Sequence, residues 1–241
     1  MASPQNLEIL AHPDAVALRA VELLCSACEQ TQGAIWISLS GGSTPQRLYR
    51  LLAEPSFSKR VPWQRVHLFW GDERFVPVEH ADSNFRMVRE TLLNKVPMAA
   101  INVHPMPTTG MSPAEAAVWY ERELHRLGGD ERVASNRPLF DITLLGVGDD
   151  GHTASLFPGV QAIHERKQWT AAVIGAKPEA RLTLTFPALN SSALVMVLAT
   201  GTGKRAVLAR LASGEDLPIA HVAPVGRMVW LLDEAAGACS G

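Results

Sequence analysis

Apolar positions in this chain alternate between short uninterrupted runs and longer stretches in which they recur every third or fourth residue. These are the periods of buried strands and amphipathic helices. Residues 13–30 carry the helical period through Val16, Leu18, Val21, Leu24 and Cys28, with Pro13 suited to the first turn and Gly33 ending it. A buried strand is predicted over 34–39. Ser40-Gly-Gly-Ser-Thr-Pro45 then leads into a second helix through about Ala53, with Thr44 as its N-cap and Pro45 at its first position. A second strand over 66–70 runs into Gly71-Asp-Glu-Arg74. Ser83 is a candidate cap for a helix reaching Lys95, and a short strand is expected near 101–103. Residues 113–127 show a further helical pattern, closed by Gly128-Gly129. The clearest strand, 140–145, precedes Gly146-Val-Gly-Asp-Asp-Gly-His152. Strands are also predicted over 171–175, 181–186, 193–199 and 227–232, with a helix over 203–212.

Short apolar strands alternating with helices predict an α/β fold. We expect one domain over residues 1–241, built on a doubly wound, mostly parallel sheet. Neither the proline-bearing stretch 97–113 nor the polar stretch 128–138 looks long enough to separate two cores. Apolar residues make up 47% of the chain, too many for a disordered segment. A net charge of −2, with Lys and Arg dispersed, gives no footprint for nucleic acid or an anionic membrane. The longest apolar run, 193–199, falls far below the roughly 18 residues of a membrane span. The start MASPQNLEIL lacks a basic end and apolar stretch, and Cys25, Cys28 and Cys239 do not make a disulfide framework. The expectation is a cytoplasmic protein, monomeric or a small homo-oligomer. Cys25-Ser-Ala-Cys28 falls late in a predicted helix, where core packing explains it better than redox chemistry.

In an open α/β sheet, ligands bind beyond the C-terminal ends of the strands. Three polar loops follow predicted strands here, at 40–45, 71–74 and 146–152, and the topology brings them to one sheet edge. Gly41 and Gly42 permit close backbone approach, Ser43 and Thr44 offer hydroxyls, and the next helix aims free N–H groups at an anion. Read alone, this loop fits a phosphate cradle and a plain strand-to-helix turn equally well. Gly146, Gly148 and Gly151 have the spacing of a dinucleotide fingerprint, but Asp149 and Asp150 would repel a pyrophosphate. The turn is better read as presenting Asp150 and His152 at the sheet edge, which makes His152 a candidate general base.

Gly201-Thr-Gly-Lys204 has the ending of a P-loop. However, Leu198 stands where its first glycine belongs, and Arg205 follows the lysine in place of Ser or Thr. Lys204 and Arg181 remain candidate phosphate cations. No metal-ligand spacing and no Gly-x-Ser-x-Gly motif is visible, so we expect a site without metal or cofactor.

Four stretches, taken together, resemble the 6-phosphogluconolactonase family: Ser38-Leu-Ser-Gly-Gly-Ser-Thr-Pro45; Trp70-Gly-Asp-Glu-Arg-Phe-Val-Pro77 with Asp82-Ser-Asn84; Leu145-Gly-Val-Gly-Asp-Asp-Gly-His-Thr-Ala-Ser-Leu-Phe-Pro158; and Arg181-Leu-Thr-Leu-Thr185. The resemblance runs from about residue 8 to 232. One departure is Lys177-Pro-Glu-Ala-Arg181, where family members often carry a second proline. The resemblance implies a Rossmann-like sheet that binds no nucleotide and hydrolysis of 6-phospho-D-glucono-1,5-lactone to 6-phosphogluconate, the second step of the oxidative pentose phosphate pathway. It implies that His152 activates water, with Arg74 close to the substrate; Asp150 or Asp72 would then fix the imidazole tautomer. Similarity to the glucosamine-6-phosphate deaminases implies that Ser43, Thr44, Arg181 and Lys204 hold phosphate.

The deaminases are also the main rival reading. They place a ring-opening glutamate five residues after the loop histidine, a position that Phe157 occupies here. A third reading, a sugar-phosphate sensor without turnover, has no need of His152 or Asp72.

Overall fold

The computed structural model describes residues 6–237; Cys239 lies outside them. Among the described residues ten strands form two sheets: β1 (Leu7–Leu10), β2 (Ile35–Leu39), β3 (Val66–Trp70), β4 (Asp72–Arg74), β5 (Val103–His104), β6 (Phe140–Gly146), β7 (Thr170–Val173), β8 (Arg181–Leu184), β9 (Ser192–Ala199) and β10 (Arg227–Asp233). The larger sheet has the order β1-β10-β9-β6-β2-β3-β5, and every pairing in it is parallel. Helices cover both faces, so β2, β6 and β9 are buried almost throughout, which is why they read as mainly apolar segments, interrupted in β2 by Ser38 and in β6 by Asp141 and Thr143. The helix Pro13–Gln30 packs on the helix Ser43–Leu52 and on β10, burying Val16, Ala20, Leu24 and Cys28.

From β2 the chain winds outward through β3 to β5. From β6 it winds the opposite way through β9 to β10, with β1 completing the far edge. The direction of winding therefore changes between β2 and β6, whose following loops part to leave a crevice, the usual ligand position in such sheets.

The smaller sheet corrects the sequence reading. Residues 171–175 and 181–186 do not extend the parallel sheet; β7 and β8 form an antiparallel pair, and β4 joins β8 to complete the order β4-β8-β7. Asp72-Glu-Arg74, read as a loop, is thus a strand, because β8 supplies its hydrogen bonds. The helix Pro113–Arg126 packs against β7 and β8.

Other boundaries shift. The helix read over 83–95 ends at Thr91, and the strand near 101–103 contracts to Val103–His104. The helix read from 203 begins at Arg205, after a 3₁₀ turn over Thr202–Lys204. The helix Gly129–Ala134 and strand β1 were not predicted; β1 is a sheet edge with Leu7 and Ile9 exposed, so it shows no apolar run. Cys25 and Cys28 are buried in the core as expected, and burial pushes their thiols up to about 11 and about 12. Among the described residues no helix is long and apolar enough to cross a membrane.

Candidate active site

A cleft of about 360 Å³ opens at the crevice between the loops that follow β2 and β6. Its first wall is the loop after β2. Tyr49, buried in the helix Ser43–Leu52, reaches back to this loop: its hydroxyl donates to Ser40 O at 2.7 Å and accepts from Ser40 N at 3.0 Å. Gly42 has φ +102°, a conformation that glycine adopts without steric cost. A side chain at Gly41 would collide with Asn84. The capping differs from the prediction, since Gly42 is the N-cap and Ser43 the first helical residue. Thr44 is therefore free of the cap, and its hydroxyl meets that of Thr200 at 2.8 Å. Among the described residues, the N–H groups of Gly42, Ser43 and Thr44 have no acceptor. A helix N-terminus with free donors is a site suited to an anion.

The opposite wall is the turn after β6. Gly148 N donates to His152 O at 2.8 Å, and Gly151 has φ +85°, so the chain doubles back on itself. A Cβ at Gly148 would lie well inside van der Waals separation of the His152 ring. The fold thus uses this glycine to make room for an imidazole, where the fingerprint reading would have given it a dinucleotide. His152 Nδ1 lies 2.5 Å from Asp150 Oδ1, and the same oxygen accepts the His152 backbone N–H at 3.1 Å. Burial opposes ionisation of Asp150. The His152 side-chain and backbone hydrogen bonds and the Lys177 ammonium outweigh it and hold the carboxyl below its usual range. With Nδ1 engaged, Nε2 has no partner among the described residues, and the ring borders the cleft. The Phe157 ring packs against the imidazole, with centroids 4.5 Å apart.

Strand β4 supplies the floor. Asp72 and Arg74 both line the cleft. Asp72 Oδ2 accepts the Ser155 hydroxyl at 2.7 Å, and among the described residues no hydrogen bond joins this carboxylate to His152. Arg74 donates to Asp82 O at 2.6 Å. Between them Glu73 points the other way and is buried. It accepts the backbone N–H groups of Arg74, Asn84 and Phe85 at 2.7–2.8 Å. Burial pushes its carboxyl up to about 7 against the pull of those donors. Asn84, placed by this contact, donates from Nδ2 to Asp72 O at 2.9 Å.

Gly41, Gly42, Ser43, Thr44, Asp72, Arg74, His152 and Lys204 therefore share one cleft. Asp150 stands behind the imidazole, outside the lining. Arg181 is also outside it; its backbone stands opposite Arg74 in the β4–β8 register, and its guanidinium lies 3.5 Å from the Glu179 carboxylate. Burial and the neighbouring Arg74 lower its pKa, and its Nη1 is buried without a hydrogen-bond partner. Sequence reasoning overlooked Asn84 and Thr200 as cleft residues. The Asp82-Ser-Asn84 stretch was visible as a motif, but nothing local to Thr200 marks it. Lys204 is held near the cleft by the turn after β9, where Asp233 accepts Gly201 N at 2.9 Å. Among the described residues, no group of three or more His, Cys, Asp or Glu side chains is gathered as metal ligands would be.

The model of the family described as glucosamine-6-phosphate isomerases/6-phosphogluconolactonase matches residues 11–230. A 6-phosphogluconolactonase from Nostoc sp. is 38% identical over 97% of this chain and 98% of its own length. One from Synechocystis sp. is 42% identical over 87% of this chain and 85% of its own. The crystal structure of a 6-phosphogluconolactonase from Thermotoga maritima superposes with a TM-score of 0.80 at 30% identity, covering 95% of this chain and 99% of the other.

Proposed function

The chain belongs to the family of glucosamine-6-phosphate isomerases and 6-phosphogluconolactonases, and from that membership we propose that it hydrolyses 6-phospho-D-glucono-1,5-lactone to 6-phosphogluconate. One observation carries the chemical reading: a carboxylate-backed imidazole faces, across a single cleft, a helix N-terminus whose donors are free.

The phosphate rests on the N–H groups of Gly42, Ser43 and Thr44, with Lys204 as its counter-charge and Arg181, behind Arg74, contributing to the positive field. His152 Nε2 takes a proton from a water attacking the lactone carbonyl. Asp150 accepts the Nδ1–H, which leaves Nε2 as the basic nitrogen and stabilises the imidazolium as it forms. Arg74 stabilises the oxyanion, and His152 then returns its proton to the departing ring oxygen. Asp72, tied to Ser155, orients the substrate from the floor. The continuous core, which draws residues from Val16 to Ala236, supports one domain acting as a unit.

Phe157 favours the lactonase over the isomerase. A glutamate at this position would assist ring opening, whereas this chain packs a phenyl ring against the imidazole. The direct test presents lactone, made beforehand by two-electron oxidation of glucose 6-phosphate, and follows acid release above the spontaneous rate. We expect rapid hydrolysis, and no ammonia from glucosamine 6-phosphate. Steady deamination without lactone hydrolysis would reverse the choice.

A further inference from the structure

Lys204 Nζ lies 2.6 Å from Asp149 Oδ1. Both residues line the cleft, but the lysine side chain is 27% exposed and the aspartate 78%. Asp149 precedes Asp150 in the turn after β6 but takes no part in holding His152, which is bonded to Asp150. Its backbone carbonyl accepts from Arg210 at 3.3 Å, while the rest of that guanidinium is committed to Glu215. The Asp149 carboxylate is therefore an arm on an anchored backbone, and its one side-chain partner among the described residues is the ammonium that the mechanism assigns to phosphate.

Building on that assignment of Lys204, we propose that Asp149 sets the affinity of the site, as an internal counter-ion that holds Lys204 and that the phosphoryl group must displace. The ammonium attracts both anions, but the carboxylate and the phosphate repel each other across it. A phosphate on the Gly42–Thr44 donors competes with the carboxylate for Nζ. After Asp149 swings into solvent, its charge still lies within the screening length of roughly 8–10 Å at physiological ionic strength. Every phosphorylated ligand is thereby bound less tightly than the cradle alone would allow. The product carries a carboxylate as well as the phosphate, so the same charge hastens its departure. Because the pair faces water, the effect is modest.

Titration calorimetry of 6-phosphogluconate against the parent, Asp149→Asn, Lys204→Ala and the double variant tests this without requiring turnover. Asp149→Asn should bind about 2- to 5-fold more tightly at low ionic strength, the range of exposed ion pairs. The gain should shrink in high salt and be absent when Lys204 is alanine. Unchanged or weaker binding by Asp149→Asn, or an equal gain without Lys204, would overturn the proposal. A parent that binds no 6-phosphogluconate would bring down the phosphate-site assignment itself. Asp149 is exposed, so matched thermal melts are expected to show that its substitution leaves the fold intact.

Discussion

Asp150 Oδ1 accepts two hydrogen bonds from the same residue, the side chain and the backbone N–H of His152, at 2.5 and 3.1 Å. This double contact locks the rotamer of the imidazole and the shape of the turn together. The ring is held before any substrate arrives, so little reorganisation accompanies proton transfer.

His152→Asn keeps a similar size but cannot accept a proton from water. General-base catalysis contributes about 10²–10⁴-fold, and kcat should fall within that range. Binding of 6-phosphogluconate, measured by calorimetry, should hardly change, because the phosphate contacts are assigned to the Gly42–Thr44 donors and Lys204. Near-parent kcat would assign the base elsewhere, Asp72 being the next carboxylate in the cleft.

Gly148→Ala tests the packing beneath the ring. The added methyl would overlap the imidazole, so His152 must leave Asp150 or the turn must open. Lactone hydrolysis should drop at least tenfold while the far-ultraviolet spectrum stays that of the parent. Full activity would mean that the turn has slack its close contacts do not suggest.

A stability prediction concerns the buried pair Arg132 and Asp141, joined at 2.7 Å with both side chains under 10% exposed. Asp141 also accepts Trp36 N at 2.7 Å, tying the helix Gly129–Ala134 and β6 to β2. Arg132→Ala leaves a buried carboxylate with Arg137 as its remaining cation, at 3.2 Å. Urea melts should register a loss toward the lower end of about 3–5 kcal/mol. The activity of the folded fraction should be unaffected.

The pH dependence of stability should carry the mark of His104. Burial, with His67 adding to it, pushes this imidazole down to about 4. The unfolded residue titrates near the ordinary value of about 6.5. Between those two values the unfolded chain binds a proton that the folded one refuses, so the folded state is at its best above pH 6.5 and weakens as pH falls. From pH 7.5 to 5 the loss from this residue is about 2 kcal/mol. Parallel urea melts of the parent and His104→Gln should show a shallower decline in the variant; identical slopes would place the acid sensitivity elsewhere.

The sequence by itself determined the parts of this protein that depend on residue type and spacing. Strands β2, β3, β6 and β9 were legible because burial on both faces demands mainly apolar segments. The helix Pro13–Gln30 was legible because one buried face leaves a period in the chain. Gly42 and Gly151 marked the turns that bound the cleft, and the three motif loops pointed to a common edge. Tertiary structure alone decided what those signals left open. Asp72-Glu-Arg74 is a strand only because β8 lies beside it. The sequence offered Asp72 and Asp150 as equal partners for His152, and the fold turns one toward Ser155 and the other toward the imidazole. Thr200 enters the cleft, and Lys204 meets Asp149, by the docking of segments far apart in the chain. Apolar burial is written locally, since each residue's transfer from water depends on its own side chain. The choice of a polar partner turns on distances of an ångström or less between distant segments, and only the packed fold sets those.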